Sequence, residues 1–165
     1  MARTASESPV TLSVLDRLID NDPGTSAEVP LSRVQSVRAY RAGVRRDLEW
    51  LLNTRRIADE PDAGMVEVNR SVYSYGLPDF STYSVANPKD QTRLIRFLQQ
   101  TIKQFEPRLS NVRIVQLEQP DSTKTVHLRI EAMLLMDPAP EQIAFDTVMQ
   151  LGSGECVIKE GPDAR

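Results

Sequence analysis

The stretch ANPKDQTRLIRFLQQTIKQFEPRL, residues Ala86 to Leu109, decides how the rest of the chain is read. Asn87 is a helix-capping residue and Pro88 suits the first helical position. Asp90 places a carboxylate in the first turn, where free N–H groups and the helix dipole favour negative charge. Leu94, Ile95, Leu98, Ile102 and Phe105 then recur at helical spacing, while Arg93, Arg96, Gln99, Gln100, Lys103 and Gln104 occupy the remaining surface. One face is core and the other is wet. Pro107 disfavours helical geometry at Glu106, so the helix ends by about Phe105. Glu106-Pro107-Arg108 then turns the chain into a strand-like run from Val112 to Leu117, apolar enough for a central strand. An acid and a base flank a rigid corner.

Downstream the chain is β-rich. After a Gln119-Pro120-Asp121-Ser122 turn, Val126, Leu128, Ile130, Ala132, Leu134 and Met136 alternate with Thr125, His127, Arg129 and Glu131. This pattern predicts a long antiparallel strand with one buried and one wet face. Asp137-Pro138-Ala139-Pro140 ends it. A further strand is expected from Ile143 to Leu151, with Ile143, Phe145, Met149 and Leu151 facing inward, and a short one around Cys156 to Ile158.

Upstream, Thr11 is placed to cap a short helix through Asp20, with Leu12, Leu15, Leu18 and Ile19 as its stripe and Asp16-Arg17 solvated beside it. Asn21 to Pro30 reads as a loop or hinge. Ser32 caps a longer helix to about Arg56, whose apolar side comprises Val34, Val37, Tyr40, Val44, Leu48, Leu51 and Leu52, with Gly43 weakening it locally. Arg33, Arg38, Arg41, Arg45, Arg46, Arg55 and Arg56 decorate that segment. They form either a solvated face or a surface for an acidic protein. Ala58 to Gly64 is an acidic loop, and Val66, Val68 and Val72 suggest a strand interrupted by Arg70. Tyr75-Gly76-Leu77-Pro78-Asp79 is a constrained turn in which Gly76 permits a positive φ.

The predicted architecture is α+β, with helices packed on a mostly antiparallel sheet. A chain of 165 residues, 40% hydrophobic, supports one core. Residues 1–30 are read as a tail, short helix and linker, 31–160 as the domain, and 161–165 as a tail. The net charge of −3 argues against nucleic acid or an anionic membrane as the main partner. Sixteen arginines against four lysines favour carboxylate-bearing protein partners, since the guanidinium binds carboxylates in a bidentate fork. The single cysteine cannot form an internal disulfide, and the longest uninterrupted hydrophobic run is Ala132 to Met136. A cytoplasmic setting is the expectation.

Phe105-Glu106-Pro107-Arg108-Leu109, with the helix before it and Tyr75-Gly76-Leu77-Pro78-Asp79-Phe80-Ser81, resembles TssE. That family supplies the baseplate subunit of bacterial type VI secretion systems and is related to contractile phage tail wedge proteins sometimes labelled lysozyme-like. The likeness extends to Ser13-Val14-Leu15-Asp16-Arg17-Leu18 and to Asp47-Leu48-Glu49-Trp50-Leu51-Leu52-Asn53-Thr54-Arg55. It implies an N-terminal docking helix beside the main domain and a cytoplasmic, membrane-proximal baseplate setting. It also implies a wedge built with TssF, TssG and TssK, engaged through Glu106, Pro107 and Arg108, and a sheath of TssB and TssC for which this chain is the starting template. On physical grounds the template is a sheet edge that accepts a strand. The C-terminal sheet, residues 125–151, is the expected edge, with Val126, Leu128, Ile130 and Phe145 as its contacts.

Two other classes share the resemblance, a regulatory anti-adaptor and a peptidoglycan muramidase. A glycosidase needs two carboxylates across a cleft, one of them a proton donor. Glu106 is the best candidate, but with Arg108 two residues on it reads as a charged partner, and the expectation is no enzyme. His127 stands without a second histidine for a metal site, and Cys156 reads as a small buried hydrophobe. Neither a phosphate-binding loop nor a dinucleotide fingerprint occurs, so no cofactor is expected. For the Glu106-Pro107-Arg108 corner, a helix-stopping structural role and a role at an interface both remain open.

Overall fold

The computed structural model describes residues 8–20, 23–24, 30–59, 61–84, 86–117 and 125–161. Four helices, α1 (Val14–Leu18), α2 (Arg33–Asn53), α3 (Val66–Arg70) and α4 (Pro88–Phe105), precede four strands, β1 (Leu109–Leu117), β2 (Thr125–Leu134), β3 (Glu141–Gln150) and β4 (Cys156–Glu160). The strands form one antiparallel sheet in the order β1-β2-β3-β4. The chain is therefore α+β, as its patterning predicts. The Gln119–Ser122 turn, most of the loop from Asn21 and the last four residues lie outside the described segments.

Local chemistry sets the two long helices. Ser32 accepts from the Gln35 N–H while the Gln35 side chain accepts from the Ser32 N–H, so two free donors at the start of α2 are satisfied together. Asn87 accepts from the Lys89 N–H at the start of α4, with Pro88 in the first turn and Glu106 as the last, non-helical residue. Val44, Leu48, Leu51 and Leu52 of α2 join Leu94, Leu98 and Ile102 of α4 against Leu128, Ile130, Leu134, Ile143, Phe145, Met149 and Ile158 of the sheet. These residues make one core. The buried face of α2 runs through Ser36, Tyr40 and Gly43, and Val34 points to solvent instead of joining it.

Three expectations are corrected. Val66 to Val72 is a short helix followed by a 3-10 turn, not a strand. Apolar alternation needs a neighbouring strand, and here Asn69 donates to the Asp62 and Met65 carbonyls while the Ser71 hydroxyl accepts from the Tyr73 N–H, closing the backbone on itself. The first helix spans only Val14–Leu18 and is capped by Ser13, not Thr11. Strand β1 is an edge strand, buried only at Leu109 and Ile114, and not a central one.

The order of the strands bears on where a free edge lies. Val126, Leu128, Ile130 and Phe145 sit at 0–3% exposure on β2 and β3, the two inner strands of the sheet, so these four side chains belong to the core. At the far side, β4 turns Glu155 C=O and Gly161 N–H inward to β3. Three outward groups of β4 are covered from α2. Asn53 donates to the Cys156 carbonyl and accepts from its N–H, at 2.8 and 2.9 Å, and Arg45 donates to the Ile158 carbonyl. A side-chain amide thus replaces a fifth strand and blunts that edge. No such cover reaches β1 from the described residues. Cys156 is buried with its thiol pushed up to about 12 by burial and then by the nearby Glu49 charge, consistent with a packing role.

Candidate functional site

The corner after α4 is where the chain concentrates its buried charge. Leu109 N–H closes a turn on the Glu106 carbonyl, and Leu135 N–H bonds the Arg108 carbonyl, so the corner is held by backbone before any side chain is considered. Glu106 is 4% exposed. Arg108 spans it with a fork, Nε to one carboxylate oxygen and Nη2 to the other at 2.5 Å each, and the same Nη2 reaches Asp47 of α2 at 2.7 Å. Beyond Asp47 the order continues. Arg46 bonds Asp47 through Nε and Nη2, and its Nη1 bonds Asp16 of α1 at 2.6 Å. The result is an alternating row, Glu106, Arg108, Asp47, Arg46, Asp16, that ties β1, α2 and the N-terminal arm together.

Electrostatics follow the geometry. Burial alone would depress the Arg108 pKa, but the Glu106 and Asp47 carboxylates outweigh it and hold that pKa above its ordinary value. Burial likewise opposes charge on Asp16, and the Ser13 hydroxyl and Arg46 guanidinium outweigh it, leaving Asp16 below its ordinary 3.8. A lowered carboxylate stabilises the fold above its free value and ceases to do so as pH falls through the lowered one, so the arm's tie is complete at neutral pH. Burial, with the Asp47 and Glu106 charges adding to it, raises the Tyr75 phenol.

Aromatic groups surround the row. Trp50 is 53% exposed and lies under Arg46, whose guanidinium carbon is 5.0 Å from the ring centre. Tyr75 meets Phe105 edge to face at 5.3 Å. Ser13, Leu15, Trp50, Tyr75, Phe105 and Pro107 line a shallow cleft of about 450 Å³ together with Asp47, Glu106 and Arg108 of the charged row. Of the three corner residues, only Pro107 is exposed.

Sequence reading found the corner and missed its partners. Asp47 and Asp16 lie 61 and 92 positions from Arg108 and Arg108 lies beside neither in any local pattern, so only packing brings them together. Asp16 was expected to be solvated and is instead locked to Arg46. Gly43 carried the available signal, a glycine inside a long helix. A Cβ there would stand 2.7 Å from an Asp16 carboxylate oxygen, so the glycine admits the arm. Val10 N–H to the buried Ser36 hydroxyl and Arg33 to the Ser8 carbonyl hold the arm further along. Gly43→Ala should therefore release the arm while global stability moves by no more than about 1 kcal/mol, helix propensity offsetting the lost contact. Hydrogen exchange over residues 8–20 reads this directly, and unchanged protection there would mean that Asp16 simply swings aside.

The fold and this corner define a small helix-backed antiparallel domain in which Glu106, Arg108, Asp47, Arg46 and Asp16 bind one another. Among the described residues, no group of three or more His, Cys, Asp and Glu could hold a metal ion, and no helix is long and apolar enough to cross a membrane. The sequence model for baseplate wedge protein gp25 matches residues 38–139, from the first turns of α2 to just beyond β2, and the chain belongs to that family. Members are structural components of baseplates. The match covers Asp47, Arg46 and the whole corner, and leaves the N-terminal arm, β3 and β4 outside it. No curated protein and no solved structure matches the chain.

Proposed function

We propose that this chain is a non-enzymatic subunit of a type VI secretion baseplate. It joins a wedge with TssF, TssG and TssK, and it templates the sheath of TssB and TssC. One observation carries the reading: a backbone-locked corner whose charges are neutralised internally, next to a half-exposed tryptophan on a shallow cleft. A central aromatic beside desolvated, pre-ordered charge is the anatomy of an interface hot spot, where complementary charge fixes register more than it adds affinity. Pro107, Trp50 and the exposed rims of Asp47 and Arg108 are the contacting surface. Templating by strand addition falls to β1, the edge that no α2 side chain covers, where main-chain groups supply affinity and alternate side chains supply register.

The same geometry works against a muramidase. A general acid must reach the glycosidic oxygen, whereas Glu106 has both oxygens on Arg108 and is 4% exposed.

Affinity purification of the tagged full chain from its native cell tests the proposal. Wild type should recover wedge and sheath subunits. Trp50→Ser and Pro107→Ala change exposed residues outside the apolar core, the first also removing the ring beneath Arg46, and Trp50→Ser should reduce wedge recovery by at least ten-fold. Recovery of a single adaptor protein, with neither wedge nor sheath, would replace this reading with the regulatory one.

A further inference from the structure

The corner leaves the solvent face of α4 unexplained. Lys89, Arg93, Arg96 and Lys103 are all exposed, and their spacing of four, three and seven positions sets them on one ridge with Gln100 filling the remaining step. The ridge runs about 21 Å at the helical rise per residue. Asp90 is the only carboxylate in α4, and it is engaged at the helix start by the Ser84 N–H and the Asn87 amide. None of the four cations has an ion pair among the described residues. Elsewhere Arg41, Arg45, Arg46, Arg55, Arg108 and Arg129 each hold a carboxylate, in a chain whose net charge is −3. A row of cations without carboxylate partners on an acidic protein is a local field with a definite direction.

What lies beside the ridge narrows the occupant. Gln99, Gln100 and Lys103 form one wall of a cleft of about 490 Å³, and Leu109, Ser110, Asn111 and Val112 of β1 form the other. Asn111 takes a positive φ of 52° where the β1–β2 register shifts, a local irregularity at the start of the edge strand. The cleft thus sets the start of an edge strand beside amide and ammonium donors. We infer that the ridge and this cleft bind an extended acidic segment of a partner protein, its backbone along the start of β1 and its carboxylates on Lys89, Arg93, Arg96 and Lys103.

Two other anionic partners fit less well. A membrane surface needs apolar anchors among the cations, and the neighbours here are Thr92, Gln99 and Gln104. Single-stranded nucleic acid needs aromatic faces to stack on, and Phe97 is half-buried against Phe80 with Arg56 over its ring. This inference rests on the assembly reading in taking a protein as the partner and in using the β1 edge.

The test is fluorescence polarisation of the purified full chain with a labelled 12-residue peptide of alternating glutamate and valine. A glutamine-for-glutamate peptide, a 20-nucleotide single-stranded DNA and phosphatidylserine vesicles serve as comparators. The acidic peptide should bind, weaken as salt rises, and lose at least ten-fold in affinity with Arg93→Glu/Arg96→Glu and several-fold with the milder Arg93→Gln/Arg96→Gln. Lys159→Glu, a charge reversal on β4, should leave affinity within two-fold. Absence of acidic-peptide binding, equal binding of the glutamine peptide, tighter binding of DNA or vesicles, or indifference to the α4 reversals would each overturn the inference. No baseplate protein is present, so failure here leaves the assembly proposal standing, and failure of co-purification leaves this result standing.

Discussion

Arg108→Ala should lower the stability of the domain by about 3 kcal/mol or more, the usual loss when one partner of a buried ion pair is removed. The reason lies with the residue left behind. Glu106, 4% exposed in the intact domain, loses the guanidinium from both oxygens and keeps only the 3.4 Å contact from the residue 108 N–H, and Asp47 loses its contact across the α2–corner seam. Arg108→Lys should recover little, because an ammonium cannot fork to Glu106 and reach Asp47 at once. Glu106→Gln/Arg108→Met, which removes both charges and keeps volume, should recover most of the loss. Urea titrations compare these proteins, and the single variants Glu106→Gln and Arg108→Met complete the double-mutant cycle that isolates the pair term. A loss under about 1 kcal/mol for Arg108→Ala would show that Glu106 is hydrated in solution and that the corner offers its charge to a partner directly. That result would reshape the proposed interface, since the present geometry makes the charged row a brace and places the contact on Trp50 and Pro107.

Gly76→Ala should cost about 3 kcal/mol, combining a left-handed backbone with an overpacked contact. Gly76 has φ +102°, and an added Cβ would lie 2.4 Å from the Thr54 carbonyl oxygen and 2.8 Å from its carbon. Both are backbone atoms and neither can rotate away. The same carbonyl accepts from Leu77 N–H at 2.8 Å while Arg56 N–H bonds the Leu77 carbonyl at 3.0 Å, a two-bond bridge from the end of α2 to the loop that buries Leu77 and Phe80. Displacing Thr54 would therefore loosen the α2 terminus and the loop together. Gly64→Ala, whose Cβ would meet nothing within 4 Å, is the control and should stay within about 0.5 kcal/mol. Thermal or urea unfolding compares the pair, and equal behaviour of the two variants would mean that the loop is not held as described.

Much of this molecule was legible in short-range chemistry. The Asn87-Pro88 start and Pro107 stop of α4, the Ser32-Gln35 cap of α2, the positive φ of Gly76 and the two-residue alternation of β2 are each decided within a few positions, and each stands as read. The resemblance carried by Glu106-Pro107-Arg108 is of the same kind, and the family match places it within residues 38–139. What failed required neighbours. The valines of Val66 to Val72 had the spacing of a strand and no strand to pair with, so local hydrogen bonds made a helix. The alternation from Thr125 to Leu134 marks a strand and its buried face, whereas its pairing on both sides is set by the order of the sheet.

Edge and interior are properties of sheet order, which the order of strands in the sequence does not state. The charged row shows the same division: sequence alone fixed that an acid and a base flank a rigid proline. Packing α1 and α2 against that corner determined that Asp47, Arg46 and Asp16 would complete the row, that Gly43 would make room for it, and that the acid would face inward. Ion pairs form through space, where side chains separated by tens of residues meet only after apolar burial has brought their helices together.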